Sequence, residues 1–183
     1  MTTAVHEPEA VSSEVLSREA TAAAFEKHLV ARGNYAGSWE ALADLFAEDA
    51  TYRDVFYGEM KGREAIRTFL RKSMEGLEDW SFPVQWTLVG EGRVVVHWLN
   101  RLPGMRPDGT FYEFPGVSCI TYGPDARIIR QIDLYDGMAA IKVVIEAKSG
   151  IVGRFLHAVA RLLGTIVRES FRAFYRLRGS ARR

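Results

Sequence analysis

The sequence has few of the features that assign a protein quickly to a class. Cys119 is the only cysteine in 183 residues, which excludes an internal disulfide and makes a cysteine-based metal site a poor expectation. No apolar run approaches the roughly 20 residues that a membrane-spanning helix needs, and the first residues lack the basic-then-apolar order of a secretion signal. Zinc-ligand spacing, a glycine-rich phosphate loop and a nucleophilic serine motif are also missing. We therefore expect a cytoplasmic protein that needs no metal and no cofactor.

Positive charge is concentrated at the C-terminus. The net charge is +1, but residues 151–183 contain eight Arg and one Glu, so they carry +7 and the remainder carries −6. Residues 151–183 also carry an apolar stripe at helical spacing, with arginines on the other face. This pattern predicts an amphipathic helix that packs on the rest of the protein or on a second subunit, or that makes peripheral contact with an anionic membrane. No recognition module accompanies the arginines, so we expect no nucleic acid partner.

The spacing of apolar residues predicts helices first and a sheet afterwards. A first helix covers 15–33, a second begins after Ser38 and ends near residue 48, and a third follows Gly62, with a short strand around Tyr52 before the third. From Trp80 onward the pattern indicates strands at 80–89, 93–102, 110–122 and 127–135, separated by turn residues. The order predicts one α+β domain at 13–145, between a flexible tail at 1–12 and a basic helical extension at 146–183.

Two carboxylates are the main candidates for chemistry. In the short strand, Asp54 lies on the same side as Tyr52, and Asp133 ends a late apolar strand. Two inward carboxylates in apolar surroundings cannot both ionise cheaply, so we expect one pKa to rise and the pair to serve as acid and base. Other interpretations are open. Asp54 could cap a turn or pair with a neighbouring arginine, Asp133 could form an ion pair at a strand end, and Tyr52 could be an ordinary half-buried strand residue.

Other candidates lie on the predicted strands. His97 stands among apolar residues and is either a proton-transfer group that titrates near neutral pH or a hydrogen-bonded core histidine. Glu113 faces a pocket if the strand alternation places it inward. The aromatic residues that would shape an apolar substrate pocket, or simply belong to the core, are Trp98, Phe56, Trp86 and Phe114.

Three segments carry a resemblance to a known family. They are Asp49-Ala50-Thr51, Gly62-Arg63-Glu64-Ala65-Ile66 and Asp133-Leu134-Tyr135-Asp136. Together with the order of elements they resemble the nuclear transport factor 2-like superfamily over approximately residues 20–145. The resemblance implies a cone-shaped, curved antiparallel sheet wrapped around N-terminal helices, here with a long amphipathic C-terminal helical extension, and it implies a homodimer. The superfamily includes ketosteroid isomerases, SnoaL-type polyketide cyclases, limonene epoxide hydrolases, scytalone dehydratase and non-catalytic binders.

The resemblance also suggests roles for individual residues. Asp54 lies where ketosteroid isomerases carry their general base, but their second aspartate corresponds to Val117, which argues against steroid isomerisation. Asp133 resembles the acid or base carboxylate of SnoaL-type cyclases and limonene epoxide hydrolases. Tyr52 with Asp54 is similar to the Tyr and Asn that hold water in those hydrolases. On the strand 93–102, where the hydrolases use an Arg and an Asp, the candidates here are His97 and, depending on register, Asn100 or Arg101.

These observations predict a cofactor-independent acid/base enzyme that acts on a hydrophobic small molecule. An epoxide hydrolase-like reaction would use Asp54 and Tyr52 to hold water and a protonated Asp133 to donate to the epoxide. A polyketide or terpenoid cyclase- or isomerase-like reaction would use Asp133 to shuttle a proton. The alternative is a non-catalytic ligand-binding or assembly module whose C-terminal helix binds a membrane or a partner.

Overall fold

The computed structural model describes residues 15–33 and 39–148 and confirms the α+β class. The helices are α1 (Arg18–Gly33), a 3₁₀ helix (Trp39–Leu45), α2 (Arg63–Met74) and α3 (Gly137–Ala147). The strands are β1 (Phe46–Asp54), β2 (Gly58–Lys61), β3 (Val84–Val89), β4 (Arg93–Met105), β5 (Phe111–Tyr122) and β6 (Ile128–Tyr135), joined in one sheet in the order β2-β1-β6-β5-β4-β3. The predicted tail at 1–12 lies outside the described residues, as does the extension beyond Lys148.

The second predicted helix is shorter than expected, and the strand after it is longer. The helix is a 3₁₀ helix that ends at Leu45, so the prediction that helix continues through residues 46–48 is wrong. Phe46 already pairs with Ile128 of β6, and its carbonyl oxygen accepts a hydrogen bond of 2.8 Å from Arg63 Nε. Pairing between distant segments therefore overrides the local helical pattern of residues 46–48.

Strand β1 has a different kind of neighbour on each side. On one side it forms an antiparallel hairpin with β2, a strand that the sequence pattern did not predict. On the other side it runs parallel to β6, with Tyr52 opposite Gln131 and a register irregularity between Phe46 and Thr51. This parallel pair brings two distant parts of the chain together and positions the site described below.

The described residues form two compact units. The first contains the residues up to Glu75 together with Thr87–Val96 and Ser118–Asp133, and the second contains Gly76–Trp86, His97–Val117 and the residues from Leu134 onward. The largest completely buried side chains of the first unit include Phe46, Ile66, Val94, Ile120 and Ile128. In the second unit, Leu102, Phe114 and Ala140 form a buried cluster against which aromatic and aliphatic residues pack.

Helix α3 begins at a clear capping signal. The Asp136 carboxylate accepts hydrogen bonds from the backbone N–H groups of Met138 (2.8 Å) and Ala139 (3.1 Å), which satisfies two donors that a helix start leaves unpaired. Within residues 15–33 and 39–148, no helix combines the length and the apolar character needed to cross a membrane.

Candidate functional site

The candidate site centres on a hydrogen bond between Tyr52 and Asp133 in the first unit. The Tyr52 hydroxyl donates to Asp133 Oδ2, although the two residues are 81 positions apart in the chain. The parallel register explains the contact, because Tyr52 lies opposite Gln131 and Asp133 follows two residues later on the same face of β6. A phenol and a carboxylate are thus held together by the sheet itself.

The second oxygen of Asp133 has two further donors. Oδ1 accepts a hydrogen bond of 2.6 Å from the hydroxyl of Ser118 on β5 and one of 3.0 Å from Nε2 of Gln131 on β6. Ser118 is 3% exposed and Gln131 is 6% exposed, so both donors are buried. Hydrogen bonds donated to a carboxylate stabilise its ionised form relative to the protonated acid.

Two phenylalanine rings contact the ring of Tyr52. Its centroid lies 5.9 Å from the ring of Phe46 on β1 and 5.0 Å from that of Phe69 on α2, both in tilted arrangements. Tyr52 is 6% exposed, and its polar end points to Asp133 while its ring packs among apolar groups. The phenol therefore has one preferred orientation.

Asp54, the other carboxylate predicted at the site, engages the turn between β1 and β2. Its Oδ1 accepts hydrogen bonds from the backbone N–H groups of Phe56 (2.8 Å) and Tyr57 (3.1 Å). This is the turn-capping arrangement that the sequence left open, and it accounts for an aspartate that is only 8% exposed. The catalytic role of Asp54 stays a prediction. Phe56, predicted to line a pocket, is 53% exposed in this turn.

His97 belongs to the second unit and lies on the half-exposed side of β4. Burial alternates along the strand, so Trp98 and Asn100 are buried, whereas His97 and Arg101 lie on the opposite face. The His97 ring stacks on Trp86, with centroids 5.1 Å apart, and Trp86 is 48% exposed. Asn100, rather than Arg101, is therefore the polar residue on the buried face of β4.

The remaining predicted pocket residues also lie in the second unit. Trp98 packs edge-on against Phe82 and Tyr135, and Phe114 contacts Trp80 and Tyr135, so these residues form an aromatic cluster. Their substrate-binding role stays a prediction.

Glu113, a further predicted pocket residue, lies on the less buried face of β5. It forms a 2.8 Å ion pair with Arg101, whose guanidinium lies 4.0 Å from the centroid of the Phe111 ring. This local ion pair gives Glu113 a structural partner on the face of the strand opposite Phe114.

Two residues of the site, Ser118 and Gln131, were not among the sequence-based candidates. Gln131 precedes Asp133 by two residues, so strand alternation alone places both side chains on one face. Ser118 carries no comparable signal, because its contact with Asp133 depends on the pairing register of β5 with β6. Among the described residues, no group of three or more His, Cys, Asp or Glu could hold a metal ion.

Solved structures with the same fold come from several bacteria. A protein from Xanthomonas campestris pathovar campestris, provisionally assigned as a polyketide cyclase, is 21% identical, with 69% of this chain and 98% of that chain covered at a TM-score of 0.52. An NTF2-like protein of unknown function from Mesorhizobium loti is 19% identical, with 66% and 93% covered and a TM-score of 0.52. A protein of the SnoaL-like family from Agrobacterium tumefaciens strain C58, provisionally assigned as an isomerase, is 17% identical, with 65% and 99% covered and a TM-score of 0.50.

The fold is thus that of the nuclear transport factor 2-like superfamily. The family model of the SnoaL-like domain matches residues 19–131, and the chain belongs to that family. No curated protein matches the chain by sequence. At identities of this size the structural neighbours establish the fold alone, so the activity has to be argued from the site.

Proposed function

We propose that this protein is a cofactor-independent acid/base enzyme of the cyclase or isomerase type, acting on a hydrophobic small molecule. The observation that carries the proposal is the hydrogen bond from the buried Tyr52 to the half-buried Asp133, with Ser118 and Gln131 on the other carboxylate oxygen. A carboxylate held by several donors next to an oriented phenol is suited to moving one proton without a metal. Family membership and the provisional assignments of the structural neighbours agree with this class.

The reaction that suits these groups is proton transfer next to a carbonyl. Asp133 would take a proton from the acidic C–H of the substrate, the electron pair of that bond would remain on the substrate as an enolate, and the same proton would be returned after ring closure or isomerisation. As Asp133 loses its negative charge by taking this proton, the Tyr52 hydroxyl would turn its one hydrogen bond from Oδ2 to the substrate oxygen that gains negative charge. Positioned acid/base catalysis of this kind contributes roughly a hundred- to ten-thousandfold to the rate.

The reaction is tested by exchange of substrate hydrogen with deuterium. Apolar β-dicarbonyl and aryl ketone compounds are incubated with the protein in deuterium oxide, and mass spectrometry follows incorporation next to the carbonyl. We expect exchange with the wild type and at least about a hundredfold loss in Asp133→Asn. Asp79→Asn removes the same charge from an exposed carboxylate and should not change the rate. No exchange above that of Asp133→Asn with any compound would contradict the proposal.

Epoxide opening is the other reaction compatible with the carboxylate and phenol pair. In that version Tyr52 and Asp54 hold the attacking water and Asp133 donates a proton to the epoxide oxygen. The turn contacts of Asp54 Oδ1 make this version the less favoured one, because that oxygen already accepts two backbone N–H groups. Incubation with apolar epoxides in water enriched in heavy oxygen tests it, since labelled diol from the wild type and none from Asp133→Asn would favour epoxide opening over the proposed reaction.

A non-catalytic function is favoured by a different observation, the sequence of residues 151–183. Their eight arginines and apolar stripe suit a segment that binds an anionic membrane or a partner protein. The test uses the full chain with Arg154, Arg161, Arg168, Arg172 and Arg176 all changed to Gln. Sedimentation with vesicles that contain phosphatidylserine, lost in this variant and absent with phosphatidylcholine alone, would support membrane binding. Equal sedimentation of wild type and variant would contradict it.

The expected homodimer is a separate proposal. Sedimentation equilibrium of the full chain measures its mass, and a single species with the mass of one chain across the concentration range would contradict it.

A further inference from the structure

Asp133 is held by more donors than a simple proton shuttle requires. Its Oδ2 accepts a hydrogen bond from Tyr52, and its Oδ1 accepts bonds from Ser118 at 2.6 Å and from Gln131 at 3.0 Å. Both Oδ1 donors are more than nine-tenths buried, and they come from two different strands, β5 and β6. A carboxylic acid that acts first as a proton donor gains little from three donors directed at its oxygens.

We propose that Ser118 and Gln131 are positioning residues that keep Asp133 ionised and its Oδ2 directed at Tyr52, so that Asp133 enters the reaction as a base. This inference rests on the proposed acid/base function and assigns the order of its two proton transfers. It opposes the epoxide version, in which Asp133 begins as the protonated acid.

The orientation of the Gln131 amide supports an ionised partner. Nε2 faces Asp133, while Oε1 is buried and has no hydrogen-bond partner among the described residues. If Oδ1 carried a proton, turning Oε1 toward Asp133 would pair a donor with an acceptor. Against an ionised carboxylate the turned amide would place two oxygens in repulsive contact, so the observed Nε2–Oδ1 bond is the arrangement that suits a charged Asp133.

Ser118 on β5 is the second donor to Oδ1 of Asp133. The short Oγ–Oδ1 distance of 2.6 Å is typical of a hydroxyl that donates to an anion. With Oδ1 occupied by two donors, Oδ2 is left as the oxygen that faces the phenol. Asp133 thus takes the substrate proton on Oδ2, and the Tyr52 hydroxyl, which is released from Oδ2 by that transfer, can then donate to the substrate oxygen beside it.

The test is a titration of the Asp133 carboxyl carbon by NMR in the full chain, with labelled aspartate and assignment by Asp133→Asn. In the wild type we expect a midpoint below the ordinary aspartate value of about 3.9. Ser118→Ala and Gln131→Met should each raise the midpoint by about one pH unit or more, because each removes a donor to the charged form. Ser118→Thr keeps a hydroxyl and should restore the wild-type midpoint.

The control is Ser73→Ala, which removes a hydroxyl from α2 that donates to the Leu70 carbonyl and should leave the midpoint unchanged. If Ser118→Ala does not fold, Ser118→Cys takes its place, because a thiol of similar size is a weaker hydrogen-bond donor. The midpoint of Ser118→Cys should lie above that of the wild type, by less than about one pH unit. A wild-type midpoint above about 3.9, or midpoints that do not move in the Ser118 and Gln131 variants, would overturn the inference.

The titration needs no substrate, so it separates this inference from the proposed function. A low midpoint that responds as expected, without deuterium exchange in any compound, removes the enzymatic proposal and the role of Asp133 as a base, and keeps only the finding that Ser118 and Gln131 hold its carboxylate ionised. Exchange that depends on Asp133, with a midpoint above the ordinary value, keeps the enzyme and removes the assignment.

Discussion

The indole ring of Trp98 occupies the space into which a side chain at Gly116 would extend. A Cβ atom built on Gly116 would lie 2.5 Å from Cη2 and 2.6 Å from Cζ2 of Trp98, closer than carbon atoms can approach. Trp98 is 5% exposed and packs edge-on against Phe82 and Tyr135, so it has little room to move away. Glycine is therefore required at position 116 because of a side chain on the neighbouring strand.

Gly116→Ala should lower the free energy of unfolding by about 1–3 kcal/mol, the range typical of overpacked cores. Urea denaturation followed by tryptophan fluorescence measures the change. Gly90→Ala is the matched control, because its added Cβ would come no closer than 3.8 Å to the Arg93 carbonyl oxygen. Equal stability of the two variants would mean that the Trp98 ring can shift to accept a methyl group.

Because the phenol of Tyr122 is buried, we expect the folded protein to lose stability at high pH. Burial raises the pKa of its phenol above the ordinary value of 10.0, so the folded protein keeps the proton at a pH where the unfolded chain releases it. The free energy of unfolding is unaffected below about pH 10 and falls above it, by up to about 1.4 kcal/mol per pH unit for one group.

Tyr122→Phe should remove this contribution and flatten the decline in stability above about pH 10. The hydroxyl is buried without a hydrogen-bond partner in the described part of the chain, so we expect the variant to be at least as stable as the wild type at neutral pH. Urea denaturation at a series of pH values measures both effects. A variant with the same decline would show that other groups cause it.

The turn contacts of Asp54 lead us to expect different stabilities for the variants Asp54→Ala and Asp54→Asn. Asp54→Ala should cost about 1–2 kcal/mol of stability, because the N–H groups of Phe56 and Tyr57 lose their acceptor. Asp54→Asn keeps an acceptor oxygen and should cost less than half as much, and Asp49→Ala is the control at an exposed position of the same strand. Thermal denaturation gives the stabilities. The rate at which Asp54→Asn exchanges substrate hydrogen with deuterium then tests the predicted catalytic role. That role requires a large loss of this rate at nearly unchanged stability.

The ion pair of Arg106 with Glu146 links the β4–β5 turn to the end of α3. Its Nε and Nη2 atoms bind the two carboxylate oxygens of Glu146, each at 3.1 Å, and its guanidinium lies 4.9 Å from the centroid of the Tyr112 ring. The hydrogen bond to Glu146 raises the pKa of Arg106. Because Arg106→Ala removes both bonds to Glu146, we expect faster amide hydrogen exchange in α3 of this variant.

Arg106→Lys should restore little of this protection, because lysine cannot form the two parallel bonds. A double-mutant cycle with Glu146→Gln should give a coupling of about 1 kcal/mol. The exposed Lys72→Ala is the control for loss of a positive charge. A coupling near zero would mean that the ion pair does not hold the end of the helix.

The sequence predicted the fold better than the detailed boundaries. The strands β3 to β6 lie in the four segments that the pattern indicated, although β3 begins only at Val84. Burial alternates clearly along β4, as Trp98 and Asn100 show, whereas β3 is exposed along most of its length. The start of β1 was missed because residues 46–48 favour a helix locally, whereas Phe46 pairs with Ile128, which lies about 80 residues further along the chain. The four residues of β2 are too short to show a period.

The residues of the candidate site likewise include some that the sequence could predict and some that it could not. Tyr52 and Asp133 could be named from the sequence because their residue types suggest chemistry and a family resemblance covers them. Ser118 could not, since a buried serine becomes informative only when the neighbouring strand is known. Asp54 looked like an equal partner of Asp133 in the sequence, and its contacts with the turn were visible only in three dimensions.

The parallel pairing of β1 with β6 has a consequence for how the protein acquires its site during synthesis. Tyr52 leaves the ribosome 81 residues before Asp133, so β1 and its hairpin with β2 exist for several seconds without the strand that completes them. Contacts between such distant residues slow folding, because the intervening chain must be ordered first. The Tyr52–Asp133 hydrogen bond should be among the last to form, and β1 is the edge that a chaperone would have to protect until β6 arrives.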